Sequence, residues 1–381
     1  MKKRILALMC AGMMLLSGCG GGNGDAVSDL KTKPGEYPIA KEDLPQDGTK
    51  LTYWMAKNNN MKQQNYGETT FAKGLEERTG VPIEYIQPTE PDTDLSGRIA
   101  SGDLPDMMEW GWSGYQGGGQ VMIDDGVILE LNDLIDKYAP NFKKYLEEHP
   151  EIDRMIKTDS GKYYAFPFIR GEDRLLISVG PMVRKDWLDK YGLDMPKTVG
   201  DIENILKTFK ANGVKAPLSM QEHLVRSTFM GNFNTSSSYY YRDGEIVYGP
   251  TTPEYKYAVE TLARWYKEGL LDNNYPSYKQ ESEVQAKIYN DEVGMTVASG
   301  GGGLGNLIMN YPGDTFEMVG FSFTGIDEKT PNIYHGVESN YPGYGSVAIS
   351  ASCKYPALAV AWLDYAYSEE GSEYFNWGVE G

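Results

Sequence analysis

Apolar and polar positions alternate along this chain in short bursts separated by glycine, proline and polar loops. Lys50–Met55 reads as a first strand and ends in a polar loop, Lys57-Asn58-Asn59-Asn60. Thr69–Arg78 reads as a helix closed by Gly80, and Val81–Ile86 as a second, alternating strand. A helix near Asp94–Ala100 follows, then Ser101-Gly102-Asp103-Leu104-Pro105-Asp106 and a short strand, Met107–Trp110. This β-α-β-α-β order predicts a mostly parallel sheet with helices on its faces.

Further along, Ile128–Tyr138 and Asn141–Glu148 read as helices separated by Pro140. Lys162–Ile169 reads as a strand interrupted by Pro167, followed by a strand at Leu175–Val179 and a helix at Val183–Lys190 that carries Trp187 in a core setting. Thr198 opens the next helix, with Asp201 three residues on as an acidic capping box; the helix runs to about Lys210. Pro253–Glu268, closed by Gly269, and Glu281–Asn290 are helices; Val293–Ala298, Met318–Phe323 and Ser346–Ser350 are strands; Ala357–Tyr367 is a helix. The pattern is α/β. A length of 381 residues predicts two domains.

Before Lys50 the pattern is different. Lys2-Lys3-Arg4 precede an apolar run, Ile5–Leu16, too short to span a bilayer. Leu16-Ser17-Gly18-Cys19 then resembles a bacterial lipoprotein signal, which implies cleavage before Cys19 and lipid on its sulfur. Residues 19–48, rich in glycine and carrying Pro34, Pro38 and Pro45, read as a flexible tether, with the fold beginning near Thr49. The rest of the chain is expected on the extracytoplasmic face of a membrane.

Composition narrows the chemistry. A formal charge of -18 argues against nucleic acid, whose phosphates require Lys and Arg. Of three cysteines, Cys10 leaves with the signal and Cys19 takes lipid, so Cys353 has no intramolecular partner; its Ala-Ser-Cys-Lys setting fits an inert small residue. Tyrosine is frequent at 28, and aromatic rings with polar tips suit recognition surfaces.

Six segments, in order, resemble bacterial extracellular solute-binding proteins of the maltose-binding-protein type, in their large Gram-positive lipoprotein branch. They are Ser101–Asp106, Leu131–Pro140, Gly161–Pro167, Arg184–Leu188 with Pro196-Lys197-Thr198, Asn290–Met295 and Ala357–Gly371. The resemblance implies a two-lobed periplasmic-binding-protein-like fold with hinge strands and ligand held in an interlobe cleft. Carried over, lobe one is 49–168 plus 294–337 and lobe two 172–291 plus 343–381. The crossings fall near Pro167–Gly171, Asp291–Gly294 and Gly336–Gly343. Members of this branch continue past a segment like Asn376–Gly381, so a C-terminal truncation is expected.

No catalytic constellation stands out. Gly300, Gly302 and Gly305 match G-x-G-x-x-G, but Met318–Phe323 supplies no acid at its end, so a dinucleotide site is disfavoured. The better reading is a bare loop around Gly302 that lets a ligand approach the backbone. His149, His223 and His335 are scattered, and Asp124-Asp125-Gly126 is too short for a calcium loop, so neither a metal nor a cofactor is expected. Carboxylates are plentiful, which keeps a secreted glycosidase as an alternative to a binding protein.

Binding candidates cluster at predicted strand ends. Glu109, Trp112 and Tyr115 follow the third strand: Trp112 to stack on a sugar face, Glu109 to accept hydroxyl hydrogens, with Trp110 packing inward. Asn58 and Asn59 match by position where the wider family contacts sugar. Arg170 and Glu172 border a crossing, Glu222 and His223 follow a strand-like Pro217–Met220, and Tyr341 and Tyr344 lie near the third crossing. Tyr239-Tyr240-Tyr241 is either cleft-facing or a tyrosine-rich strand. The resemblance thus implies a monomeric, lipid-anchored receptor that passes an oligosaccharide to ABC permease subunits. A surface adhesin without a transporter is the other alternative.

Overall fold

The computed structural model describes residues 29–57, 61–171, 173–329 and 339–379. Cys19, Asn58, Asn59, Glu172 and His335 lie outside them. Among the described residues the strands are β1 (Leu51–Trp54), β2 (Ile83–Ile86), β3 (Met107–Trp110), β4 (Val179–Arg184), β5 (Tyr239–Arg242), β6 (Glu245–Tyr248), β7 (Met295–Ser299), β8 (Met318–Gly320) and β9 (Ser346–Ile349). The chain forms two compact units: unit 1 runs to Phe168 and resumes at Gly343, and unit 2 is Ile169–Pro342.

Unit 1 is built on a sheet of order β2-β1-β3-β9, with β1 parallel to β2 and β3, and β9 antiparallel to β3. One face carries Trp54 and Met108 into a core with Trp112, Met122, Leu95 and Ile128. The other face meets the helix Pro356–Asp364, whose nine residues are all buried. That helix is apolar all round and must be covered all round. Trp362 on it stands edge-on to Tyr53, with ring centroids 5.8 Å apart.

Unit 2 has a three-stranded antiparallel sheet, β7-β4-β8, and a separate hairpin, β5–β6. Its core gathers Val183, Leu188, Ile202, Leu206, Phe209 and Trp265. Helix Val199–Ala211 starts with the predicted reciprocal cap: Thr198 accepts from the Asp201 amide, and Asp201 accepts from the Thr198 amide. Trp187 is 9% exposed and packs edge-on to Phe209. Arg184 is 2% exposed: it bonds Asp186 and Asp291, and its guanidinium lies 4.2 Å from the Trp187 ring centroid.

The observed lobe composition differs from the expected one. The segment from Gly343 belongs to unit 1, because β9 pairs with β3 from Met107↔Ile349 to Trp110↔Ser346. Residues 294–329 belong to unit 2, because β7 and β8 flank β4. The chain stays within unit 2 through Asp291–Gly294, so no crossing falls there.

The expected tether is also corrected over 29–48. Ile39 is 4% exposed, and its amide donates to Thr79 O at 2.8 Å. The Tyr37 hydroxyl donates to Ala361 O at 2.8 Å, and Asp29 is held by Lys137 and Tyr138. Proline and glycine deny regular structure here, but they do not prevent docking. Smaller differences occur at Leu175–Val179, where a 3₁₀ turn (Asp173–Leu176) precedes the strand, and at Lys162–Ile169, which makes only isolated bridges.

Candidate functional site

In a parallel sheet the loops beyond the strand carboxyl ends are where ligands are received. In unit 1 those ends are Trp54 and Trp110, whose rings meet edge-on at 5.7 Å. The chain after Trp110 turns through a 3₁₀ turn, Trp112–Gly114. This turn folds Trp112 back under the sheet, where it is 0% exposed and its indole N–H donates to Met108 O at 3.1 Å. The expected role of Trp112 is therefore corrected to core, while Trp110, partly exposed, packs against the same core as expected.

Ser113 Oγ donates to Gly343 O at 3.1 Å and ties this loop to the segment entering β9. Gly343 has φ +80, which favours glycine, and a Cβ there would lie 2.3 Å from Ser113 Oγ and displace that hydroxyl. The next residue, Tyr344, stacks on Phe168 with centroids 5.9 Å apart and planes 24° apart. Both rings are roughly half exposed, and Tyr115 across the loop is 39% exposed. Trp110, Tyr115, Phe168 and Tyr344 thus gather around one end of the unit 1 sheet. Phe168, which the sequence reading missed, sits two residues after the β9-bridging Phe166.

Glu109 points to the opposite face, beneath the Pro356–Asp364 helix, where Oε2 accepts the Tyr53 hydroxyl at 2.8 Å. Burial and the neighbouring Glu109 carboxylate push the Tyr53 phenol up. Strand alternation separates Glu109 from Trp110, so its expected role beside the rings of this loop is corrected.

The unit 2 candidates are dispersed. The Arg170 amide donates to Asn340 O at 2.8 Å and Asn340 Nδ2 returns a bond to Arg170 O at 3.2 Å, where the chain enters and leaves the unit. Tyr341 beside them is 9% exposed. Glu222 is engaged by Arg226 at 2.8 Å, and His223 is exposed on the same short helix. The tyrosine run lies on β5, with Tyr239 69% exposed. Gly302 lies exposed in a π-helical turn, Gly300–Gly305, anchored by Gly303 N donating to Ser299 Oγ at 2.8 Å.

A cavity of about 420 Å³ in unit 1, lined by Lys50, Asn65, Glu76, Glu84, Tyr85 and Trp362 among others, shares no residue with the aromatic cluster. Among the described residues no group of three His, Cys, Asp or Glu side chains is placed to hold a metal, and no helix is long and apolar enough to cross a membrane. Cys353 is buried, which pushes its thiol well up and away from nucleophilic character.

Residues 58–373 match the sequence pattern of the bacterial extracellular solute-binding proteins. This chain belongs to that family. It is similar to the fructooligosaccharide ABC transporter substrate-binding protein FusA of Streptococcus pneumoniae, with 26% identity over 404 residues, covering 98% of this chain and 70% of that one. The solved structure of FusA in complex with kestose superposes with a TM-score of 0.69 at 24% identity, over 87% of this chain and 70% of that chain. The alginate-binding protein AlgQ2 without calcium ion gives a TM-score of 0.68 at 22% identity, over 87% and 70%. The fold of this solute-binding protein is the two-lobed α/β fold of its neighbours.

Proposed function

We propose that this solute-binding protein captures an oligosaccharide and delivers it to the permease of an ABC importer, held at the outer face of the membrane by lipid on Cys19. The observation that carries the reading is the half-exposed stacked pair Phe168–Tyr344, two residues from the Ser346–Trp110 pairing at the sheet's carboxyl end. Ring faces cover the apolar C–H faces of a sugar, while Tyr115 offers a hydroxyl. Asn58 and Asn59, which follow β1 in the sequence, are the proposed amide partners for sugar hydroxyls. FusA's binding of fructooligosaccharides supports the ligand class, and Leu16-Ser17-Gly18-Cys19 supports the anchor. The protein acts as a monomer and breaks no bond.

The test is melting of the full-length chain against a glycan panel that includes kestose. A ligand that binds only the folded state raises the melting temperature with concentration. The expected result is such a rise with at least one oligosaccharide, which is recovered intact. No rise with any glycan, or release of hydrolysis products, contradicts the reading.

A further inference from the structure

The hairpin β5–β6 of unit 2 carries a second aromatic face. Its register pairs Tyr239 with Tyr248 and Tyr241 with Ile246, which places all four side chains on one side. They are 69%, 44%, 72% and 77% exposed respectively, whereas Tyr240 between them is 9% exposed on the inner side. The Tyr239 and Tyr248 rings lie 4.8 Å apart at 39°.

The inner side holds this face in place. Arg242 donates to Asn234 O at 2.8 Å and to Glu254 at 3.2 Å, with its guanidinium 5.1 Å from the Tyr240 ring centroid. Asp243 and Gly244, at φ 51 and 89, form the two-residue turn that matches strand twist. At the base, a Cβ on Gly249 would lie 1.8 Å from Ser236 O, so the hairpin's return is seated against backbone. Three rings and an isoleucine are thus kept in water on a fixed frame.

We propose that this face of unit 2, made of none of the residues of the unit 1 cluster, is a platform for a neutral polysaccharide or long oligosaccharide chain. The inference rests on the oligosaccharide reading above. None of the four side chains is charged, so an ionic partner gains nothing there. The face offers on the order of 500 Å², within the range of functional patches on monomers and short of the ~800 Å² per partner of a stable protein interface. That size disfavours a second copy of the chain. Tyrosine rings supply apolar faces for sugar C–H groups, and their hydroxyls remain free to exchange hydrogen bonds with sugar hydroxyls. Tyr239 and Tyr241 stand about 7 Å apart along the strand, which spreads the contacts along an extended chain.

The test is electrophoresis of the full-length protein through gels containing a soluble fructan, galactan or glucan, alongside calorimetry with short oligosaccharides. The wild type is expected to be retarded by one of the polysaccharides. Combined Tyr239→Ser, Tyr241→Ser and Tyr248→Ser weakens that retardation about tenfold. Short-sugar affinity and melting temperature stay unchanged. The corresponding Phe variants keep most of the retardation, and Tyr241→Ser alone serves if the triple variant does not fold. Retardation unaltered by either Ser variant, or a dimer that these variants abolish, overturns the platform. Short-sugar binding without retardation by any polysaccharide overturns it alone. No binding to any glycan of either size overturns the oligosaccharide reading as well.

Discussion

Asp364 accepts the backbone N–H of Phe142 at 2.8 Å across 222 positions of sequence. It is 0% exposed, and it also accepts Asn141 Nδ2 at 2.7 Å and the Tyr37 hydroxyl at 3.3 Å. One carboxylate therefore caps the helix Pro140–Glu148 and pins the N-terminal strap to unit 1. Asp364→Ala leaves the Phe142 amide and the Asn141 side-chain amide without this acceptor and is expected to cost about 2 kcal/mol of unfolding free energy in denaturant melts.

The same carboxyl has a pH signature. Burial raises its pKa above the ordinary value, against the opposing bonds from Phe142 and Asn141. A raised folded-state value means that its contribution is fully present below the unfolded value. It is lost as pH rises through the folded one. The stability of the wild type relative to Asp364→Asn is therefore expected to increase as pH falls through the carboxylate range.

Glu203 in unit 2 gives the opposite sign. Arg264 binds it as a fork at 2.7 and 2.6 Å, with Lys207 and the Trp265 indole N–H adding to it, and its carboxyl is held at about 2. Its contribution is present above the ordinary glutamate value and is lost as pH falls toward about 2. The wild type should lose its advantage over Glu203→Gln over that acid window, read by urea melts at stepped pH.

The strap itself is testable. Ile39 is 4% exposed, and an Ile→Ala change at such a site costs about 2–5 kcal/mol. For a unit of this size each kcal/mol is worth about 2–4 °C. Ile39→Ala, or a chain beginning at Thr49, is expected to lower the melting temperature by on the order of 5–10 °C. An unchanged melting temperature would show that the strap is idle.

What was legible in the sequence was local. The Thr198–Asp201 cap and the Pro253–Glu268 helix with its terminal Gly269 follow from spacing within a few residues, and the parallel β2-β1-β3 pairing from the alternation of short strands and helices over residues 50–110. What was not legible depends on partners far along the chain. Strand β9 adds beside β3 across more than 230 positions, and the strap docks by single contacts such as Ile39 to Thr79. The burial of Trp112 turns on one 3₁₀ turn, which folds its ring under the sheet. Alternation along β3 did hold the information that Glu109 and Trp110 face apart.

Buried Trp112 and half-exposed Tyr344 separate a stability residue from a proposed binding residue. Trp112→Ala removes a fully buried ring and is expected to cost about 3–5 kcal/mol. Tyr344, 49% exposed, is expected to cost little when changed to Ala, and far-UV circular dichroism with denaturant melts distinguishes the two.

The most direct measurement is calorimetric titration of the full-length protein with the oligosaccharide that stabilises it best, in the wild type and in Tyr344→Ala. Sugar capture on the Tyr344 ring predicts saturable heat in the wild type and an affinity about tenfold weaker in the variant, as expected for the loss of one stacked ring. No heat with any oligosaccharide, or equal affinity in the two proteins, would contradict it.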